Sequence, residues 1–193
     1  VTGSGSTIIK INPSNTFASG TEYYILIDAT AFDDAAGNSY AGISSTTALS
    51  FTSKDTVKPY LTSTVPAHLA TDIATNANIV LNFSETVVAQ SGGHYITIFN
   101  KSDDSEFEKI DVTNAKVSGS GTNQITINPG TDFVEKSIYY IKIDATAFDD
   151  SSGNSYGGIS STNKYKFTIV DSTNPTLSTS SPTDGATNVN TLS

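Results

Sequence analysis

The chain has 193 residues, 36% of them hydrophobic, a net charge of −9, and lysine as its only type of basic side chain. Without arginine or a basic stripe, the composition argues against nucleic acid and anionic membranes as partners, and the apolar runs are too short for membrane insertion. The absence of cysteine excludes disulfides, so we expect a packed core or bound ions to hold the fold.

The sequence repeats itself at a long period. The octapeptide IDATAFDD begins at Ile27 and recurs unchanged at Ile143, 116 residues later. The segment GNSYAGISST at Gly37 likewise returns as GNSYGGISST at Gly153. A period of this length is typical of tandem domains.

This period divides the chain into three parts. Residues 1–54 match 117–170 and are predicted to be the C-terminal part of an incomplete repeat. Residues 55–170 make one complete repeat, and residues 171–193 match 55–77 as the start of a further one. Because the chain contains no methionine, we expect it to be a processed product or an interior piece of a longer protein.

Strands are predicted by alternation, first in residues 1–54. Tyr23, Ile25 and Ile27 occupy every second position and match apolar residues in the second copy, as does Phe51. The intervening positions drift, since Leu26 is replaced by a lysine, the exchange expected where water is the neighbour.

The complete repeat carries the same pattern over its whole length. Weaker candidate strands lie near Tyr60, Tyr95 and Phe107, and seven or eight short strands in all predict an antiparallel β-sandwich. The side chains predicted to point inward are Ile79, Leu81, Phe83, Ile125, Ile127, Tyr139, Ile141, Ile143, Tyr165, Phe167 and Ile169.

Several blocks then occur in a characteristic order. DTVKPYL at Asp55 is followed by PAHLAT, NIVLNFSETV, YYIKIDATAFDD and GNSY, and the first block returns as DSTNPTL at Asp171. In this order the blocks resemble the SbsA-type bacterial Ig-like domain. The resemblance implies an all-β, Ig-like sandwich with Greek-key connections, and a module of S-layer proteins, adhesins or secreted-enzyme appendages.

The acidic loops have two interpretations. FDDAAGN contains Asp33, Asp34 and Asn38, and the second copy provides a matching set. In the first interpretation, these adjacent carboxylates and the Asn gather oxygen ligands for Ca²⁺. The other interpretation is a turn in which Asp caps backbone N–H groups, and we favour it because the alternating D-x-D-x-D-G pattern is missing. The matching residues are Asp149, Asp150 and Asn154.

The junctions between repeats give a second pair of calcium candidates. Asp55 and Asp171 each precede a proline by four residues, which stiffens a short connector. A carboxylate at such a place can bind Ca²⁺ between domains, but the sequence shows no partner carboxylate close by. A plain linker is therefore the favoured interpretation, and we expect no required cofactor.

No residue is predicted to be catalytic, and we expect no enzyme activity. His68 and His94 are solitary, and no nucleophile or phosphate-binding motif is present. We expect an extracellular spacer or building block of a stalk, surface layer or filament, with neighbouring repeats or other copies as partners. The alternatives are a calcium-assisted adhesin module that binds a glycan or protein, with Tyr40 or Tyr156 as an aromatic platform, and an accessory domain of a secreted hydrolase.

Overall fold

The structure, a computed structural model, describes residues 1–190. The strands in that range are β1 (Glu22–Tyr24), β2 (Ser50–Thr52), β3 (Leu61–Val65), β4 (Ile79–Ala89), β5 (Tyr95–Asn100), β6 (Glu106–Asp111), β7 (Val117–Ser118), β8 (Thr122–Ile127), β9 (Ile138–Ile143), β10 (Phe148–Asp149) and β11 (Lys166–Thr168). The all-β prediction is confirmed. Over the same range, no helix has the length and apolar content that crossing a membrane requires.

Two antiparallel sheets form the complete repeat. One has the order β10-β4-β8-β7, with β3 pairing alongside the first half of β4, and the other has the order β11-β9-β5-β6. Strand β4 is long enough to take β3 near its start and β10 at its end. The short strands β7 and β10 lie outside the segments that alternation predicted.

The core lies between the two sheets, and the predicted alternation is confirmed. Ile79, Leu81 and Phe83 of β4 are buried, as are Ile141 and Ile143 of β9, while the residues between them are only half-buried. Period-two burial of this kind places every second side chain in the interior. Aromatic rings fill one end of the core, where Phe133, Tyr139 and Phe167 pack with ring centroids 4.8–6.4 Å apart.

Residues 1–54 form a two-stranded sheet, β1 with β2. Tyr23 pairs with Phe51, which is the register that Tyr139 and Phe167 have in the complete repeat. The side chains on this sheet stay accessible, and Phe51 is 37% exposed where Phe167 is 1% exposed. We call residues 1–54 the head.

Residues 171–190 contain no strand, and every one of them is exposed. Leu177 has 83% of its surface accessible, in contrast to the half-buried Leu61 at the matching place in the complete repeat. We call this described segment the tail.

Candidate metal centre

The FDD loop of the complete repeat is built on Asp150. Its Oδ1 accepts hydrogen bonds from the backbone N–H groups of Ser152 and Asn154, both at 2.8 Å, and its Oδ2 accepts one from the Asn154 amide at 2.7 Å. The side chain is 6% exposed. This is the geometry of a capped turn, in which the Asn154 side chain adds a third hydrogen bond to the two from backbone N–H groups.

At the junction, Asp55 accepts hydrogen bonds from the head and from the complete repeat. Its carboxylate accepts a hydrogen bond from the Ser19 hydroxyl of the head at 2.8 Å and another from the Val57 N–H at 2.9 Å. Its backbone carbonyl accepts one from the Asn154 amide, at 3.2 Å, within the complete repeat. Asn154 therefore connects the turn of Asp150 to the start of the linker.

A third carboxylate reaches the same place from β4. Asp55, Glu85 and Asp150 each offer an oxygen, and these oxygens lie within 4.8 Å of one another. Glu85 follows Phe83 by two residues and precedes Val87 by two, so it occupies an inward-facing position of the strand. The pairing of β4 with β8 is irregular between Asn82 and Val87, and Glu85 lies within that irregular stretch.

The three carboxylates of the cluster lie close enough to affect one another's pKa values. Burial raises the pKa of Glu85, and the charges of Asp150 and Asp55 raise it further. Burial alone would raise the pKa of Asp150, but the hydrogen bonds from Asn154, Ser152 and Gly153 outweigh it and hold that pKa below its usual range. Two of the three acids are thus satisfied by protein donors, whereas Glu85 accepts no hydrogen bond from the described residues.

A divalent cation fits this arrangement in charge and ligand type. Ca²⁺ bonds oxygen ligands at about 2.3–2.6 Å, so two oxygens on one ion lie up to about 5 Å apart. Three carboxylates supply roughly half of the six to eight ligands that Ca²⁺ takes, and water would provide the rest. Without a cation, the ionised form of Glu85 is destabilised by burial and by two like charges.

The sequence of the whole complete repeat carries a family pattern. A family model described as "Bacterial Ig-like domain" matches residues 1–53 and 55–169. The chain belongs to the bacterial Ig-like domain family. No curated protein matches it. Among solved structures, the crystal structure of CopC from Methylosinus trichosporium OB3b is similar at 15% identity and a TM-score of 0.41, covering 61% of this chain and 99% of that one.

The Ig-like repeat brings only some of the predicted calcium ligands together. Asp55 and Asp150 meet, and Asn154 bonds both of them. Asp149 lies beside this turn in β10, where its Oδ1 is buried without a hydrogen-bond partner among the described residues. Asp171 is at the opposite junction, with the Lys136 ammonium 3.1 Å from its carboxylate.

The remaining candidates lie in the head, away from the cluster. Asp34 caps its own turn, accepting from the N–H groups of Ala36 and Asn38 and from the Asn38 amide. Asp33 accepts a hydrogen bond from the Ser39 hydroxyl at 2.6 Å. Both loops therefore have the turn geometry, and only the copy in the complete repeat also faces other carboxylates.

The proposed aromatic platform is wrong at Tyr156. This ring is 5% exposed and packs edge-on against Phe83, with the centroids 5.2 Å apart, and burial raises its pKa to about 12. Tyr40, at the matching place in the head, is 44% exposed. A tyrosine next to the GNS turn is thus a core residue of the Ig-like repeat rather than a surface for ligands.

Proposed function

We propose that this protein is an extracellular structural array of SbsA-type Ig-like repeats, serving as spacer or building block of a stalk, surface layer or filament. Domains of this family occur in surface and extracellular proteins, which supports the location. The proposal assigns no reaction to any residue. The expected partners are neighbouring repeats and other copies of the chain.

One observation carries the proposal: at Asp55 the connector is hydrogen-bonded to the repeats on both of its sides. Ser19 of the head bonds the Asp55 carboxylate, and Asn154 of the next repeat bonds the Asp55 carbonyl. Pro59, four residues on, is buried and fixes the direction in which the chain enters β3. A linker fixed this way passes load from one repeat to the next instead of acting as a loose hinge.

Mechanical unfolding of the full chain, held by its two ends, tests this role. We expect residues 55–170 to unfold in one event that lengthens the chain by about 400 Å, because a cooperative sandwich opens as a unit. Asn154→Ala should lower the unfolding force, since it frees the linker from the turn. Its matched control, Asn38→Ala in the head, should leave that force unchanged.

Two results would contradict the spacer role. One is gradual extension at low force with no discrete event from the complete repeat. The other is an equal loss of force in both asparagine variants, which would mean that the connector at Asp55 bears no particular load.

We propose Ca²⁺ binding at the junction as a second function, favoured by the meeting of Asp55, Glu85 and Asp150. A bound cation would offset two of the three negative charges and join the linker, β4 and the FDD loop at one point. Since Asp55 also contacts Ser19, the ion would stiffen the connection to the preceding repeat. The distances and the unpaired Glu85 carboxylate support this function.

Thermal melting of the full chain in Ca²⁺ and in chelator tests it. A ligand at a hundredfold excess over its Kd stabilises by about 3 kcal/mol, so we expect the Tm to rise by several degrees in Ca²⁺. Glu85→Gln should abolish the rise, while Asp34→Asn, in the corresponding turn of the head, should preserve it. Identical Tm values in Ca²⁺ and in chelator would mean that the cluster binds no Ca²⁺ and that these acids act only in the turn and the linker.

A further inference from the structure

The complete repeat, which the structure describes in full, protects most of its outer strands from pairing with another chain. Strands β7 and β10 have two residues each. The outer side of β11 is covered, since the Leu69 N–H donates to the Lys166 carbonyl at 2.7 Å and the Thr168 N–H donates to the Ala70 carbonyl at 2.9 Å. Strand β6 carries a charge on four of its six residues, EFEKID. Short, covered or charged edges prevent association from edge to edge.

Strand β3 has none of these protections. Its five residues, LTSTV, include no charged residue and no proline. Within residues 1–190, β3 pairs with β4 and with no other strand. Its one irregularity, a register shift between Leu61 and Ser63, is in that pairing with β4. Since backbone groups of an antiparallel strand alternate in direction, β3 presents a row of N–H and C=O groups on its other side.

Apolar surface is exposed beside the same strand. Tyr60 immediately precedes β3 and is 59% exposed, and Val65, the last residue of β3, is 56% exposed. A cleft of about 310 Å³ adjoins β3, and the buried residues Ile159 and Tyr165 help to line it. Apolar surface next to an open strand edge is typical of an interaction site.

The partner that this edge can bind is an extended strand, because the edge presents main-chain groups. A second copy of β3 meets that requirement, since two antiparallel strands related by a two-fold axis offer each other the same groups. The net charge of −9 on each chain opposes association in general, so two copies approach with least repulsion through an uncharged strand. Pairing through β6 would instead bring charged side chains of both copies together.

We propose that β3 of one molecule pairs antiparallel with β3 of a second copy, about a two-fold axis at Ser63. This register overlaps all five residues of the strand. It places Ser63 opposite the same residue of the other copy, and Leu61 opposite Val65. The sheets that contain β3 would become one continuous sheet across the dimer. Because the contact is isologous, it closes with two molecules.

Sedimentation equilibrium of the full chain tests the stoichiometry. We expect the average mass to rise from one chain toward two as the concentration approaches about 1 mM, the range of weak contacts, and to stop at two. Added salt should strengthen the association, because it screens the repulsion between two acidic chains. A monomer at every concentration would overturn the proposal, and so would growth past two chains.

Charges placed at Ser63 test the register. Ser63 is exposed, and its hydroxyl accepts a hydrogen bond from the Asn82 amide at 3.0 Å, so its replacement leaves the core intact. Ser63→Lys and Ser63→Glu should each be monomeric, because like charges would lie opposite each other across the axis. An equimolar mixture of the two variants should restore the dimer, since opposite charges then face each other.

Val134 provides the matched controls. This residue is 60% exposed in a loop outside β3, so Val134→Lys and Val134→Glu change the charge of the chain by the same amounts without touching the proposed contact. Both should dimerise like the unaltered chain. Loss of the dimer in these controls would overturn the proposal. A mixture of the Ser63 variants that is no more dimeric than either variant alone would overturn it too.

This inference deepens the building-block role proposed above, and the two can fail separately. If the chain stays monomeric while residues 55–170 still unfold in one step under force, the spacer role stands and the β3 contact fails. If the dimer forms without that mechanical event, the contact stands and the load-bearing role fails.

Discussion

The head and residues 117–170 have nearly the same sequence but very different surroundings. Both form the same hairpin register, the same aromatic group and the same capped FDD turn. Yet Ile127 and Phe167 are buried, whereas Ile11 and Phe51 are 48% and 37% exposed. Local sequence therefore determines strand pairing and turns here, and burial depends on the strands supplied by residues 55–116.

The largest expected difference between the two copies is at the aromatic pair. Phe167→Ala should lower the free energy of unfolding of the complete repeat by about 3–5 kcal/mol, because it opens a cavity in a packed core. Phe51→Ala should leave that unfolding transition unchanged, since its ring packs with Phe17 and Tyr23 of the head. Denaturant titration of the full chain measures both, and equal losses would show that the head shares the core of the complete repeat.

The glycine of the GGIS and AGIS turns gives the next largest difference. A Cβ at Gly158 would lie 2.5 Å from the Ile143 carbonyl oxygen, and the residue has φ of 75°. Gly158→Ala should therefore destabilise the complete repeat by about 2 kcal/mol or more, as strain and a backbone clash add.

Gly42 has the same geometry in the head, with a Cβ position 2.4 Å from the Ile27 carbonyl oxygen. Gly42→Ala should distort only the head and leave the main transition where it is. Hydrogen exchange of the two hairpins would locate each effect. An unchanged transition in Gly158→Ala would mean that the turn relaxes without cost.

A smaller difference is expected at the capped turns, and it depends on pH. Asp150→Ala removes three hydrogen bonds in a buried turn and should cost about 1–3 kcal/mol at neutral pH. The pKa of Asp150 is lowered in the folded state, so its stabilisation is present above the unfolded pKa of about 4 and is lost as the pH falls through the folded pKa.

Asp34 provides the control, because its pKa is also lowered, chiefly by the side chain and N–H of Asn38, but its turn is exposed. Asp34→Ala should not move the main transition at any pH. Unfolding curves of both variants at pH 7 and near pH 3 measure this. If the cost of Asp150→Ala were the same at both pH values, the ionised carboxylate would not be the stabilising group.

The sequence predicted the sandwich well where alternation reports burial directly. Ile79, Leu81 and Phe83 face inward as expected, because period-two patterning is a local property. Tyr156 follows a turn, where a tyrosine usually packs on its own domain, but nothing local shows its packing partner, because Phe83 lies more than 70 residues away in the chain. Strands β7 and β10, of two residues each, are too short to show any period.

Only part of the candidate metal centre was predicted, because the contacts that assemble it also join distant parts of the chain. Asp55 and Asp150 were candidates from their own loops, but nothing local shows that they meet. Glu85 was missed although the sequence contains a signal for it. It continues the inward series of Ile79, Leu81 and Phe83, and Val87 resumes that series, so a charge stands at a core position. A charged residue in that phase indicates a partner from elsewhere in the fold.

The smallest expected effect is at Glu85, and it has the opposite sign. The head offers no counterpart to this residue, so only the complete repeat carries a carboxylate crowded by Asp55 and Asp150. Because the folded pKa of Glu85 is raised, its ionisation opposes folding at neutral pH, and the penalty disappears as the pH falls through that folded pKa.

In chelator, Glu85→Gln should therefore stabilise the complete repeat at pH 7 by less than about 1 kcal/mol, the scale of partly solvated charge pairs. The gain should vanish near pH 3, well below the raised pKa of Glu85, where that carboxyl is neutral, and it should become a loss in Ca²⁺ if the cluster holds that ion. Glu106→Gln, at an exposed position of β6, is the matched control and should be neutral. Destabilisation by Glu85→Gln in chelator would mean that the carboxylate makes a favourable contact that outweighs its repulsion by Asp150.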